Sequence, residues 1–419
     1  MKNVHYWFVF KKYLTACGLL LSIFSPWVAA ESLTLAQILA LLEQHNPALA
    51  SAKAAQEGAQ AGLVTARQYP NPEIEIAGGL SSGLGDGALS GSNEAAFVSQ
   101  ALDLPFVREA RRQVAEAGIS SADQANRQVW LLVQAQTQQA FYDILRRKAQ
   151  LQVSEDNEKL LQQIRDKVAL KVEVGEAARY EIVKAEAELL NAVKLRNSAQ
   201  VEVQDAKSAL RALFADALPY DFEADGALPP ALPQLPELDM LRGSVLDQQP
   251  ALQQIRAEVQ KAQAALELQE TLRYPIPTLK AGVEQDPGLK QWQVGISLPL
   301  PLWNQRQGEI GEAVAALKQT QAEARQLELK IVRELENAYN RYLNADRQVR
   351  TFELGLLEQA EKALQVAEAA YRLGERGILD YLDAQRTYRS VRNDYLNAQF
   401  DRQNALIDLE KLNGSAIRG

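Results

Sequence analysis

Asp380 and Asp383 stand three residues apart inside the stretch YRLGERGILDYLDAQ, residues 371–385. On a helix that spacing puts both carboxylates on one face. Two such acids can share a proton, attract a cation or simply face water. Proton chemistry needs further groups, and the chain does not offer them. It carries no P-loop, no HExxH motif, one cysteine (Cys17) and two histidines, His5 and His45. His45, in LLEQHNPAL, has no evident nucleophile beside it and reads as a polar residue near a helix terminus. Other paired acids lie on helical surfaces rather than around a recognisable pocket, which excludes an enzyme and any cofactor.

The N-terminus narrows the chemistry further. Lys2, Lys11 and Lys12 precede the largely apolar run Leu14–Val28, and VAA leads into Glu31. This is a secretory signal peptide, residues 1–30, cut after Ala30. LTAC, ending at Cys17, resembles a lipoprotein box, but its apolar run follows the cysteine instead of preceding it. Cleavage removes Cys17 and His5, so no disulfide and no soft-ligand metal site remains. Losing the three lysines takes the net charge from −8 to −11. That acidity, without any basic cluster interleaved with aromatics, excludes nucleic acid as a partner.

The elements that carry these residues come in two copies. LAQILALLEQHNP (35–47) matches LDMLRGSVLDQQP (238–250), and TARQYPNPEIEIAGG (65–79) matches ETLRYPIPTLKAGV (270–283). VSQALDLPF (98–106) matches VGISLPLPL (294–302), and VGEAARYEIVKAEAE (174–188) matches LGERGILDYLDAQRT (373–387). The first repeat therefore spans 31–217 and the second 238–419. Between them, 218–237 is a connector whose prolines forbid a continuous helix.

Each repeat contains two moderate helices, one very long helix and two short strands. The long helices run from about 106 to 173 and about 303 to 372, rich in strong helix formers and free of internal proline. At ~1.5 Å per residue each extends about 100 Å. The moderate helices (46–68 with 176–215, and 250–272 with 377–412) match that length only when stacked end to end. Leu357, Ala360, Leu364, Ala367 and Tyr371 form a coiled-coil seam, as do Val391, Tyr395, Ala398, Ala405, Leu409 and Leu412, with Arg402 interrupting. The helices reverse at short tips, 172–178 and 373–378.

Strands are expected at about 70–82, 95–105, 275–284 and 291–301. Ile74, Ile76 and Leu80 share one face, with Glu73 and Glu75 opposite. Trp292, Val294 and Ile296 oppose Gln293, Gly295 and Ser297, and Gln100 falls on the apolar face of its strand. Alternating strands of this length suit a transmembrane β-barrel. Four strands cannot close one, so copies of the chain must pool them.

This duplication, with its strand-to-helix junctions LDLPFVREARRQVAEA (102–117) and PLPLWNQRQGEIGEA (299–313), resembles the TolC family of outer-membrane efflux channels. Within it the junctions are most similar to the cobalt–zinc–cadmium (CzcC-like) type. The resemblance implies a mostly α fold: a homotrimeric α-barrel of long coiled-coil helices continuous with a 12-stranded transmembrane β-barrel, four strands per chain. It implies an outer-membrane location, a periplasmic adaptor (membrane fusion) protein and an inner-membrane RND-type pump as partners, and contact with outer-membrane lipid. It assigns Asp380 and Asp383 to the narrowest point of the periplasmic aperture. Tyr371 and Arg376 would tie the hairpins shut, with Glu181 as acidic partner; Tyr180 departs from the small hydroxyl residue found there in the best-known member of the family. Divalent heavy-metal cations are the expected cargo. Drug or organic-solute efflux and type I secretion stay open as alternatives. A periplasmic coiled-coil adaptor, the reading from another class, would show one hairpin flanked by β-domains.

The cleavage reading is checked by intact mass of the membrane-extracted protein. A chain starting at Glu31 is expected, and a diacylglycerol mass on Cys17 would overturn it.

Overall fold

A computed structural model of the chain describes residues 32–82, 84–85, 89–215, 217–229 and 235–417. The signal peptide, its cleavage site and Cys17 lie outside the described residues. β1 (Ser32–Thr34) leads into α1 (Leu35–His45) and α2 (Pro47–Arg67). The strands β2 (Glu73–Ser81) and β3 (Gly91–Ala101) precede α3 (Pro105–Glu173), which returns through α4 (Arg179–Ala212). β4 (Glu223–Asp225) lies in the connector. The second copy follows as α5 (Leu238–Gln248), α6 (Pro250–Thr271), β5 (Thr278–Asp286), β6 (Leu289–Ser297), α7 (Gln307–Thr351), α8 (Leu357–Arg372) and α9 (Ile378–Asn413).

The end-to-end stacking expected from helix lengths is present. α3 packs on α2 along one part of its length and on α4 along the other, while α6 and α9 both lie between α3 and α7–α8. The joint between α2 and α4 rests on one buried side chain. Asn46, 4% exposed, caps α2 by accepting from the Ala48 and Leu49 amides, and its Nδ2 donates to the Leu213 carbonyl at the end of α4 (2.8 Å). In the second copy Ser244 of α5 donates to Asn413 at the end of α9 (2.8 Å). Around the first joint Ile38, Leu42, Ile144, Leu210, Phe214 and Phe222 form a fully buried core. The connector closes it: β4 pairs in parallel with β1, and Glu223 holds Lys207 at 2.5 Å and Lys148 at 2.9 Å. Burial works against the charge of Glu223, but hydrogen bonds from Lys207 and Lys148 outweigh it and hold the carboxyl below the usual range.

Three local expectations need correction. The second long helix is not continuous. It is interrupted by a π-turn, Phe352–Leu356, in which Gly355 takes φ 149°, a conformation open to glycine because it has no Cβ. It also starts late: nine residues separate Ser297 from Gln307, with Arg306 left-handed (φ 60°), whereas α3 starts at Pro105, soon after β3. Arg402 does not interrupt the α9 seam but is buried in it. It pairs with Asp346 at 3.4 Å and donates to the Pro229 carbonyl, so a charge inside the seam fastens the connector.

The strands form one sheet, not two separate hairpins. Its order is β2-β3-β5-β6, all neighbours antiparallel, with the β2 and β6 edges unpaired. β3 begins at Gly91, four residues earlier than expected, because Ser81 pairs directly with Gly91. The register aligns Ile74–Val98–Ala281–Val294 and Ile76–Ala96–Val283–Trp292 in rows across one face. That face is bare: Ile76 and Trp292 are each 81% exposed. Along β3 the residues of the opposite face are half-buried while Ser92, Glu94, Ala96 and Val98 on the apolar side are exposed, as expected if the polar side is the concave one. Gln100 answers its place on the apolar face by donating to the Pro70 and Ala101 carbonyls, each at 2.9 Å.

The facing is testable by a pair of substitutions. Ile296→Arg is expected to cost roughly 2–4 kcal/mol if it meets hydrocarbon near the midplane, and Ser297→Arg, on the polar face, distinctly less. Heat-modifiability of membrane-assembled protein on gels reads the difference, and equal loss in both variants would contradict the assigned faces.

Candidate functional site: the helical tip

Both tips turn by the same device. After α3 and after α8 a glycine takes the left-handed conformation, Gly175 at φ 80° and Gly374 at φ 76°. The residue beyond each reaches back, Glu176 N–H to the Lys171 carbonyl (2.8 Å) and Glu375 N–H to the Ala370 carbonyl (2.9 Å). Glycine fits this helix-ending turn because it carries no Cβ. The next helices start alike, with a carboxylate in the first turn, Glu181 in α4 and Asp380 in α9. An acid there complements the positive end of the helix dipole.

The two hairpins of one chain clasp each other. Tyr371, 8% exposed, donates from its hydroxyl to Glu181 Oε2 at 3.4 Å. Lys171 covers the Tyr371 ring at 4.7 Å, and Tyr381 stacks on it with centroids 6.0 Å apart. Burial pushes the Tyr371 hydroxyl up to about 12, assisted by the charge and hydrogen bond of Glu181. Tyr381 is likewise pushed up to about 12 by burial and the charge of Glu368. Both phenols therefore stay protonated at any physiological pH. Beneath them Leu161, Ile164, Val168, Ala185, Ile378 and Leu382 make a small apolar core joining α3, α4 and α9.

Of the expected site residues, Tyr371 and Glu181 meet. Within the chain Arg376 does not pair with Glu181: it is exposed in the turn that precedes α9, and its Nη1 lies 3.6 Å from Asp380 in the first turn of that helix. Asp380 and Asp383 are both exposed on α9, and Asp383 makes no ion pair among the described residues. Tyr180 is 63% exposed and takes no part in the clasp. Among the described residues no group of His, Cys, Asp or Glu is arranged to hold a metal ion.

Sequence reasoning missed the polar ties below the tip. Glu188 accepts from Arg386 across the hairpins and pairs with Lys184 at 3.5 Å, while Lys167 reaches Glu368 at 3.4 Å. Burial opposes the charge of Glu188, yet Arg386 and Lys184 outweigh it and hold the carboxyl below the usual range. Glu188 lies seven residues after Glu181, two turns along the same helix face. That spacing was visible; the partner on the other hairpin was not.

A rod of long helices ending in a four-stranded sheet, apolar and bare on its outer face, is the architecture of a channel subunit whose strands, not its helices, cross a membrane. No described helix is long and apolar enough to span one. The chain belongs to the outer membrane efflux protein family, whose model matches residues 38–215 and 241–415. It is 26% identical to the cobalt-zinc-cadmium resistance protein CzcC of Cupriavidus metallidurans, over 93% of this chain and 92% of that one. Its fold is similar to that of CusC (TM-score 0.79, 19% identity, 91% of this chain and 92% of the other). It is also similar to VceC of Vibrio cholerae (TM-score 0.74, 17% identity, 91% and 96%). The protein is thus an outer-membrane efflux channel extending into the periplasm, a passive conduit rather than an enzyme. Members of the family form trimers and work with periplasmic adaptors and inner-membrane pumps.

The Glu188 tie has a pH signature. Its pKa is lower in the fold than in the unfolded chain, so its contribution is complete above the unfolded value of ~4.3 and is lost as pH falls through the folded one. Glu188→Gln should therefore lower stability by about 1 kcal/mol near neutrality and change little in strong acid. Denaturant unfolding of detergent-solubilised protein at pH 7 and pH 3 measures both; an equal loss at the two values would remove the electrostatic account.

Proposed function

We propose that three copies of this chain close a twelve-stranded barrel and a helical duct for divalent heavy-metal cations, delivered by an RND-type inner-membrane pump through a periplasmic adaptor. The observation that carries the aperture is the pair Asp380 and Asp383, solvent-facing on α9 beside the tip turn. Threefold symmetry multiplies them to six carboxylates around one axis, which draw cations in and repel anions. The intrachain clasp of Tyr371, Glu181 and Lys171 makes the two hairpins of a chain one unit, so opening separates neighbouring chains.

Support for the cargo comes from the cobalt-zinc-cadmium resistance relative, similar along nearly the whole chain. A duct does not need to bind what passes, so the scarcity of His, Cys and Met after residue 30, where His45 and Met240 remain, is compatible with metal export. Deleting the protein from its host should lower tolerance to cobalt, zinc or cadmium. Unchanged metal tolerance with reduced tolerance to organic toxicants would assign the cargo to the drug class instead.

The aperture is tested by conductance. Asp380→Ala combined with Asp383→Ala should lower the cation preference of the channel in planar bilayers and relieve block by multivalent cations added on the periplasmic side. Selectivity and block identical to the parent would place the narrowest point elsewhere.

A further inference from the structure

The polar face of the sheet carries a constellation that the tip does not explain. Glu73, Glu75, Lys280, Glu284 and Asp286 share this face, so Lys280 is its one cationic side chain among the described strand residues. Lys280 is held on two sides. Its Nζ donates to Glu75 Oε2 at 2.8 Å and lies 4.2 Å from the centroid of the Phe97 ring. Phe97, the one aromatic residue on this face among the described strand residues, occupies the space of a missing side chain. It pairs with Gly282, where a Cβ would fall 2.3 Å from Phe97 Cδ1 and 2.3 Å from the Ala96 carbonyl oxygen. The glycine lets the ring lie flat on the strand, and the flat ring presents its negative π face to the ammonium group.

We propose that Glu75, Phe97 and Lys280 form a second selectivity element inside the barrel, in which the ring and the carboxylate pin the lysine to the wall so that the acidic groups dominate the lumen. The proposal rests on the duct reading, since it takes the concave polar face as the lumen. In a trimer three ammonium groups would otherwise project into the water-filled passage and repel cations arriving from the acidic tip. Held against Phe97 and paired with Glu75, each ammonium is kept at the wall with its charge offset by a carboxylate, while Glu73 and Glu284 make no ion pair among the described residues. The passage then favours cations at its outer end as well as at its periplasmic end, and the arrangement fits small divalent cations and disfavours anionic solutes.

Phe97→Leu keeps the bulk over Gly282 and removes the π face without altering the formal charge. In planar bilayers under a salt gradient it should lower the cation-to-anion permeability ratio by at least about twofold. The same change in a Lys280→Gln background should have no effect, because nothing remains to be released. A second measurement needs no conductance: acylation of Lys280 by a membrane-impermeant amine reagent in detergent-solubilised protein, read by peptide mass spectrometry against Lys290. Phe97→Leu should speed labelling of Lys280 and leave Lys290 alone. Unchanged labelling would overturn the pinning. A lowered ratio that persists without Lys280 would overturn the role given to it. A parent protein that does not conduct would sink the duct reading, and the lumen element with it, whereas a conducting parent indifferent to Phe97→Leu would sink the lumen element alone.

Discussion

The hydrogen bond from Asn46 to the Leu213 carbonyl fixes the geometry on which the rest of the molecule depends. A helix of 69 residues cannot be covered by one partner in this chain, because no other helix among the described residues approaches its length. Two shorter helices must meet end to end beside it, and each meeting exposes unpaired backbone groups. Asn46 satisfies both sides at once, accepting from the first turn of α2 and donating to the last turn of α4. Buried polar groups left unpaired cost about 1–3 kcal/mol each, so the joint holds only in the one alignment that satisfies them. That alignment sets the height of the sheet at one end and of the tip at the other.

The second repeat solves the same problem with different parts, and the differences matter. Its joint uses Ser244 and Asn413. Its strand-to-helix junction is a nine-residue segment with a left-handed Arg306, whereas the first junction is short and clamped by Arg111 on the nearly buried carboxylate of Asp103, both oxygens at 2.7 Å. Its long helix carries a π-turn that the first lacks. Copies that differ in residue count must still run alongside each other from membrane to tip. The longer junction and the π-turn absorb the surplus without shifting the register of the packed seams.

At the membrane end the controlling fact is backbone hydrogen bonding. The chain supplies one four-stranded sheet whose edges, β2 and β6, are unpaired. Hydrocarbon cannot hydrogen-bond such edges, so a sheet with a bare apolar face finds its partners in other copies. At the periplasmic end electrostatics take over. Buried phenols and cross-hairpin ion pairs lock the two hairpins of a chain, while Asp380 and Asp383 of α9 stay exposed.

Periodicity and repetition made the architecture legible from the sequence alone. The repeats, the length match between helices, the tips and the alternating faces of Ile74, Ile76, Val294 and Ile296 all follow from local rules of helix rise and strand pleat, which act through nearest neighbours in the chain. Asp380 and Asp383 were legible for the same reason, since a spacing of three fixes a shared helix face. What depended on distant partners was not. The pairing of β3 with β5, the burial of Arg402 against Asp346 and the tie between Glu188 and Arg386 join residues that only the folded chain brings together. No spacing encodes such contacts, because each is decided by how whole helices and strands pack, and a side chain with several charged candidates in sequence takes the one that packing leaves within reach.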